Sequence, residues 1–244
     1  MLAATAVDRF LEPLLAGDRR ESRNFVTTLL EQQSENAIDL YHSLLWPAME
    51  KIDRLYRHDR INRATERMAT RINRCIADQL QMALPQLPSN GKRILITCAD
   101  DEPEELGAQM CADLFEARGW DVYFLGGGIP NDEVLTLVGR LRPEILLVFG
   151  TIPAGVPQVR ALVDMIRAVD ANPTMNIMIS GGVFNRADGL WKEVHADLFA
   201  RDAQKALELA EGAQPRKPEV RLPGVPKKRR RRRRPPLLAA AADA

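Results

Sequence analysis

Four loops rich in glycine and other small residues are the first places in the sequence where ligand chemistry is expected. They follow strand-like runs and read CADDEPEELG, GGGIP, GTIPAG and SGGVFN. Glycine lets the backbone approach a ligand closely, and parallel α/β sheets bind ligands at the carboxyl ends of their strands. We therefore expect a flat or bulky ligand at these strand ends. A dinucleotide is disfavoured because the glycines at 126–128 follow the second strand and lack the helix-opening GxGxxG context.

No recognisable catalytic centre accompanies these loops. The sequence has no familiar nucleophile–base pair, no phosphate-binding loop and no zinc-ligand spacing. Cys75, Cys98 and Cys111 form no CxxC pair and are interpreted as reduced core thiols. No apolar run approaches the ~20 residues that span a bilayer, and the N-terminus lacks the basic region of a signal peptide. These observations predict a cytoplasmic protein that is not an enzyme and has no membrane segment.

A run of eight consecutive positive charges lies near the C-terminus. From Ala213 onward the net charge is +9, which leaves about −8 for the rest of the chain because the whole chain carries +1. Such a run predicts salt-dependent, sequence-independent binding to nucleic acid or another polyanion, without base stacking, since no aromatic residue interrupts it. The alternative is a solvated tail that docks on the acidic body. The run consists of Lys227, Lys228, Arg229, Arg230, Arg231, Arg232, Arg233 and Arg234.

The elements that must position the loops fall into two groups. Residues 1–84 have apolar residues at helical spacing and few prolines, and they predict a bundle of about four helices. Ser22 and Asn62 are candidate N-caps of the second and fourth helices. From Arg93 onward, five strand-like runs alternate with amphipathic helices, a pattern typical of a parallel sheet covered on both faces. Asn131 or Asp132 is expected to cap the helix after the second strand.

Composition divides the chain into four segments. The helical bundle covers residues 1–84, a linker with two prolines and a glycine covers 85–92, and the α/β domain covers 93–212. The segment 213–244 is rich in proline and basic residues and is expected to be disordered.

The order of the four loops resembles the cobalamin-binding domains of methionine synthase, corrinoid methyl carriers and light-responsive repressors. In that family the first loop carries Asp-x-His-x-x-Gly, whose His replaces the nucleotide base beneath cobalt and whose Asp supports the His. Alignment on Gly107 places Glu102 at the Asp position and Glu104 at the His position. The third-strand loop offers Ser-x-Leu to the buried nucleotide tail. Thr151 keeps a hydroxyl there, and Gly126, Gly181 and Gly182 match the family's glycines.

The helical half resembles the cap that covers the upper face of the corrin in the same family. That cap carries a Trp followed after nine residues by Glu-His, and here Tyr56 takes the Trp position, Glu66 keeps the acid and Arg67 replaces the His. A packed aromatic and a solvated helix acid are the alternative interpretation of Tyr56 and Glu66. The resemblance covers about residues 5–212 and implies a four-helix cap followed by a Rossmann-like, flavodoxin-like parallel sheet of five strands.

The loss of the family's cobalt ligand leaves three interpretations of Glu104. It is a first-turn acid that favours the helix macrodipole, together with Glu102 and Glu105, and no ligand is bound. Alternatively, cobalamin binds with its own base or water below the cobalt, because a carboxylate is a poor substitute for imidazole. The third interpretation is another tetrapyrrole, such as haem.

The resemblance implies a regulatory or sensory cobalamin-binding module whose axial ligation is altered or lost. A corrinoid carrier for a methyltransferase is the first alternative, and an interaction protein without a ligand is the second. Because caps of this family often pair, a homodimer is expected by analogy.

Overall fold

The structure, a computed structural model, describes residues 4–32, 36–99 and 105–218. Its described residues from Ala4 to Gln81 form the cap, a bundle of four helices, as the apolar spacing predicts. The third helix of the bundle is continuous across a π-helical turn, because the residues at both junctions have right-handed helical backbone angles. The cap consists of α1 (Ala4–Ala16), α2 (Arg19–Glu31), α3 (Ala37–Leu40) continued by the π-helical turn (Tyr41–Leu45) and α4 (Trp46–Arg57), and α5 (Arg63–Gln81).

Three of the cap's helices begin at side-chain caps, and one of these differs from the prediction. Asn36 caps α3 by accepting a hydrogen bond from the Asp39 amide. Asn62 caps α5 by accepting a hydrogen bond from the Thr65 amide, as expected. Ser22 does not cap α2. Asp18 takes that role because it accepts from the amides of Arg20 and Glu21, whereas the Ser22 hydroxyl is buried and donates to the Asp18 carbonyl.

The sheet domain follows, and its five strands lie parallel in the order β2-β1-β3-β4-β5, which is the flavodoxin-like order. β3 and β4 are buried along their whole length, as expected for strands covered on both faces. Its elements are β1 (Arg93–Cys98), α6 (Glu105–Ala117), β2 (Asp121–Gly126), α7 (Asn131–Leu141), β3 (Ile145–Phe149), a 3₁₀ turn (Pro153–Gly155), α8 (Val156–Val169), β4 (Asn176–Ser180), α9 (Gly182–Arg186), α10 (Leu190–Glu193), β5 (Leu198–Ala200) and α11 (Ala203–Gly212).

Neither Asn131 nor Asp132 caps α7, which corrects the expectation from sequence. Pro130, in an extended conformation, precedes the helix and provides no side-chain cap. Its ring sets the backbone for the first turn without a side-chain acceptor. The Asn131 amide instead donates to the carbonyl of Gln158 at 3.2 Å, which ties α7 to α8.

The two faces of the sheet have separate hydrophobic cores. α7 and α8 cover one face, and α6 and α11 cover the other. The core beneath α6 continues into the cap, because α5 packs on α6 and the same cluster of buried side chains runs through both. Cap and sheet domain are therefore joined by apolar packing.

The segment after α11 contacts the sheet domain. The Asn176 side chain donates to the Gln214 carbonyl at 2.9 Å, and the Arg216 amide donates to the Thr174 carbonyl at 2.9 Å. Arg216 also pairs with Asp197 at 3.2 Å. Within the residues that the structure describes, no helix is both long and apolar enough to cross a bilayer.

Candidate functional site

The ends of β1, β3 and β4 meet at one edge of the sheet, as the parallel topology requires. The Ala99 amide donates to the Phe149 carbonyl at 2.8 Å, and the Gly150 amide donates to the Ser180 carbonyl at 3.0 Å. Gly181, with φ +106°, lies so close to the Gly150 carbonyl that an added Cβ would be 2.1 Å from the oxygen. Glycine is thus required where the loops after β3 and β4 touch.

At these strand ends, a row of side chains lies on the face of the sheet that α6 covers. Cys98, Phe149 and Ser180 are register partners on β1, β3 and β4, so they point to the same face of the sheet. The Phe149 ring lies against the backbone of α6, where a Cβ on Gly107 would be 2.2 Å from the ring. The buried Ser180 hydroxyl has no hydrogen-bond partner among the described residues.

The cap reaches this edge through α4. The Trp46 ring meets the Phe149 ring edge-to-face, with centroids 6.3 Å apart and an interplanar angle of 87°. Two turns further along α4, Asp53 pairs with Arg186 of α9 at 3.5 Å and with Arg57 at 2.9 Å. An aromatic contact and an ionic contact therefore join α4 to the loops.

Arg186 bridges three elements at this edge. Besides Asp53, its guanidinium contacts the Thr151 carbonyl in the loop after β3. It also lies over the start of α9, since a Cβ on Gly182 would be 2.7 Å from its Nη1 atom. Burial lowers the pKa of Arg186, and the nearby Arg57 lowers it further while Asp53 opposes the change.

Glu105 makes a second bridge on the other side of the site. Its Oε1 atom accepts from the Gly127 amide at 2.7 Å, and its Oε2 atom lies 3.4 Å from Arg74 on α5. A Cβ on Gly126 would be 2.5 Å from the same carboxylate. The first residue of α6 thus connects the loop after β2 to the cap, a role beyond that of a first-turn acid.

The three cap residues singled out by sequence lie on α4 and α5. Glu66 is buried and accepts a hydrogen bond from the Thr70 hydroxyl at 3.2 Å. Burial raises the pKa of Glu66, and the charge of Asp53 acts in the same direction. Tyr56 and Arg67 are half-buried. Glu66 is therefore a buried carboxyl that contacts Thr70 and is not a solvated helix acid.

Glu102 and Glu104 lie outside the described residues, as do the basic residues from Lys227 to Arg234. The alignment of Glu104 with the lower-ligand position therefore stays a prediction. The binding roles of the remaining candidates stay predictions as well. Of these candidates, the structure brings Gly107, Gly126, Thr151, Gly181 and Gly182 to the same edge of the sheet.

None of the chain's three histidines lies in the row at the strand ends. His195 lies 3.1 Å from Asp164 of α8, and the His58 ring lies 2.7 Å from the carbonyl of Arg54 in its own helix. His42 is in the π-helical turn, where burial lowers its pKa. Within the described ranges, no group of three His, Cys, Asp or Glu side chains could hold a metal ion.

Sequence reasoning did not select Phe149, Asp53 or Arg186. Phe149 had one visible signal, since it is a large aromatic residue directly before a loop of small residues. Asp53 and Arg57 have the spacing of a helical ion pair. Nothing local indicated that Arg186, 133 positions after Asp53, would join them.

Comparisons with known proteins agree with this architecture. Two family models, both described as a B12 binding domain, match residues 6–81 and 92–211. A Methanosarcina barkeri monomethylamine corrinoid protein shares the fold, with a TM-score of 0.72, 16% identity, 84% of this chain and 97% of that chain covered.

A cobalamin-binding protein from Desulfitobacterium hafniense DCB-2 also matches, with a TM-score of 0.46, 18% identity, 84% of this chain and 97% of that chain covered. No curated protein sequence matches the chain.

Proposed function

The chain belongs to the B12-binding domain family, and we propose that it acts there as a regulatory module that responds to cobalamin. Cobalamin is the cofactor of this family, as the sequence resemblance predicted. The observation that carries the proposal is the bridge from Asp53 through Arg186 to the Thr151 carbonyl, which joins the cap to the strand ends. We propose this role in preference to that of a methyl carrier, because no histidine is available at the first loop.

The bridge provides a way for a ligand to act on the protein. By the family resemblance, the corrin lies between the cap and the strand ends, where it would compete with Arg186 for its contacts. A ligand shifts a conformational equilibrium only when it binds the two states with different affinities. A corrin that displaces Arg186 creates such a difference, so occupancy would change how the cap is held on the sheet domain.

The described residues fit cobalamin only in part. The glycines at 126, 181 and 182 already pack against Glu105, the Gly150 backbone and Arg186, so a bulky group above the strand ends needs Arg186 to move. By the family resemblance, Thr151, Tyr56 and Glu66 would offer polar atoms to that group. A nucleotide base buried below this edge does not fit, because the Phe149 ring already lies against Gly107.

Titration of the purified protein with hydroxo-, methyl- and adenosylcobalamin, and then with haemin, tests the proposal. We expect the visible spectra of cobalamins to change and that of haemin to stay as in buffer. An Arg186→Ala variant should bind cobalamin up to roughly fivefold more tightly, since a partly exposed ion pair is worth about 0.2–1 kcal/mol.

Lys205→Ala is the matched control, because it removes an exposed ion pair with Glu208 within one helix. The proposal is wrong if no cobalamin changes its spectrum, or if Arg186→Ala binds no more tightly than Lys205→Ala. Methyl transfer from bound methylcobalamin to a thiol acceptor, supported by a partner methyltransferase, would instead favour the carrier function.

A further inference from the structure

Phe149 lies at the centre of the site and yet has no polar role in it. It is the last residue of β3, it is 2% exposed, and its ring is enclosed by α6 on one side and by Trp46 of the cap on another. The hypothetical Cβ of Gly107 would be 2.2 Å from the ring and 2.9 Å from its neighbouring carbons. The ring thus fills the space that the glycine of α6 leaves open.

The surroundings of the ring have the composition of a slot for a flat group. Gly107 contributes no side chain, and Ser180 and Ala200 continue the row of small residues on the neighbouring strands. The Ser180 hydroxyl is fully buried and has no hydrogen-bond partner in the described part of the chain. Burying a polar group without a partner costs free energy of folding. A polar atom of a bound ligand would pair with this hydroxyl, and the Phe149 ring cannot.

We infer that Phe149 plugs this slot and thereby selects cobalamin that keeps its nucleotide base on the cobalt. The inference rests on the proposed function, because it concerns how the cofactor is bound. A base that leaves the cobalt needs a place in the protein, and the ring occupies the place beside Gly107 and Ser180. A base that stays on the cobalt needs no ligand from the chain, which agrees with histidines that all lie elsewhere.

Two measurements on the whole 244-residue chain test the inference. The first is the visible and electron paramagnetic resonance spectrum of the wild type with cobalamin, reduced to Co(II) for the latter. We expect the base-on spectrum, including the superhyperfine splitting of a nitrogen ligand below the cobalt. A base-off spectrum in the wild type would overturn the inference.

The second measurement uses free 5,6-dimethylbenzimidazole as the probe of the slot. Phe149→Ala should open a cavity beside Gly107 and bind the probe on the order of tenfold more tightly than the wild type, as engineered cavities bind aromatic molecules. Phe149→Leu refills most of the space and is the matched control. If Phe149→Ala does not fold, Phe149→Val, which suits a strand, takes its place.

The outcomes separate this inference from the proposed function. A wild type that binds no cobalamin contradicts the proposed function, whereas probe binding to Phe149→Ala still supports the slot. A folded Phe149→Ala that binds the probe no better than Phe149→Leu overturns the slot. A Ser180→Ala substitution in the Phe149→Ala background should weaken probe binding, since it removes the unpaired hydroxyl.

Discussion

The Tyr41 hydroxyl has one proton and two neighbours that can accept it. Its oxygen lies 2.8 Å from the Ala77 carbonyl and 2.8 Å from Oδ2 of Asp113. Both contacts are hydrogen bonds at the same time only when the Asp113 carboxyl is protonated and donates to the tyrosine oxygen. Because Tyr41 and α5 belong to the cap and Asp113 belongs to α6, the proton lies where cap and sheet domain meet.

Asp113 should therefore make the free energy of unfolding depend on pH. Burial raises its pKa from 3.8 to about 6, and the charges of Asp78 and Glu116 add to this, whereas a hydrogen bond from the Tyr41 hydroxyl to the ionised carboxylate opposes it. The contribution to stability is complete below pH 3.8 and is lost as the pH rises through 6. It amounts to about 3 kcal/mol. Between pH 4 and 8, the free energy of unfolding measured in urea should fall by this amount for the wild type and not for Asp113→Asn. Glu12→Gln, an exposed control, should show the same fall as the wild type.

The packing of the Phe149 ring against Gly107 can be tested without any ligand. Gly107→Ala should lower the free energy of unfolding by about 1–3 kcal/mol, because its Cβ overlaps the Phe149 ring. In a Phe149→Ala background the same methyl fills space, so its cost should disappear in a double-mutant cycle measured by urea unfolding. Gly139→Ala in α7 is the control, since its Cβ meets nothing within 4 Å. Equal costs of Gly107→Ala in both backgrounds would show that the ring and the glycine are not coupled.

At the scale of elements, most of the fold was predictable because its signals are local. The apolar spacing of α5 and the buried runs of β3 and β4 depend on residues close in sequence, and these elements appear as expected. Caps were less predictable because neighbouring candidates compete. Gly17, with φ +75°, turns the chain so that Asp18 faces the free amides of α2 before Ser22 is reached.

The corrected cap of α2 has a measurable consequence. Asp18→Ala should lower the free energy of unfolding by about 1 kcal/mol, since two amides at the start of the helix lose their acceptor. Ser22→Ala should cost less, because the amides keep Asp18 and only the bond from the Ser22 hydroxyl to a carbonyl is lost. Thermal or urea unfolding of the two variants decides between the caps, and a larger cost for Ser22→Ala would contradict the assignment.

At the scale of the whole molecule, the candidate site depends on contacts between distant parts of the chain. The glycine loops were predictable because the carboxyl ends of parallel strands share one edge. The bridge between Asp53 and Arg186 and the contact between Trp46 and Phe149 were not, since each joins the cap to the sheet domain across 100 or more positions. No local pattern specifies which side chains meet when two such units pack together.

The C-terminal segment has two parts with different expected roles, and two truncations separate them. Residues 213–218 contact the sheet domain through Arg216 and Asp197, a carboxylate that also contacts Arg167 and accepts from the Ile177 amide. Deletion of 219–244 should abolish retention on DNA or heparin, with its salt dependence, and leave urea unfolding unchanged. Deletion of 213–244 should abolish retention and also lower the free energy of unfolding by about 1–3 kcal/mol, because Asp197 loses a partner. Unchanged polyanion retention by the shorter deletion would refute the role of the basic run, and equal stability of both deletions would refute the role of Arg216.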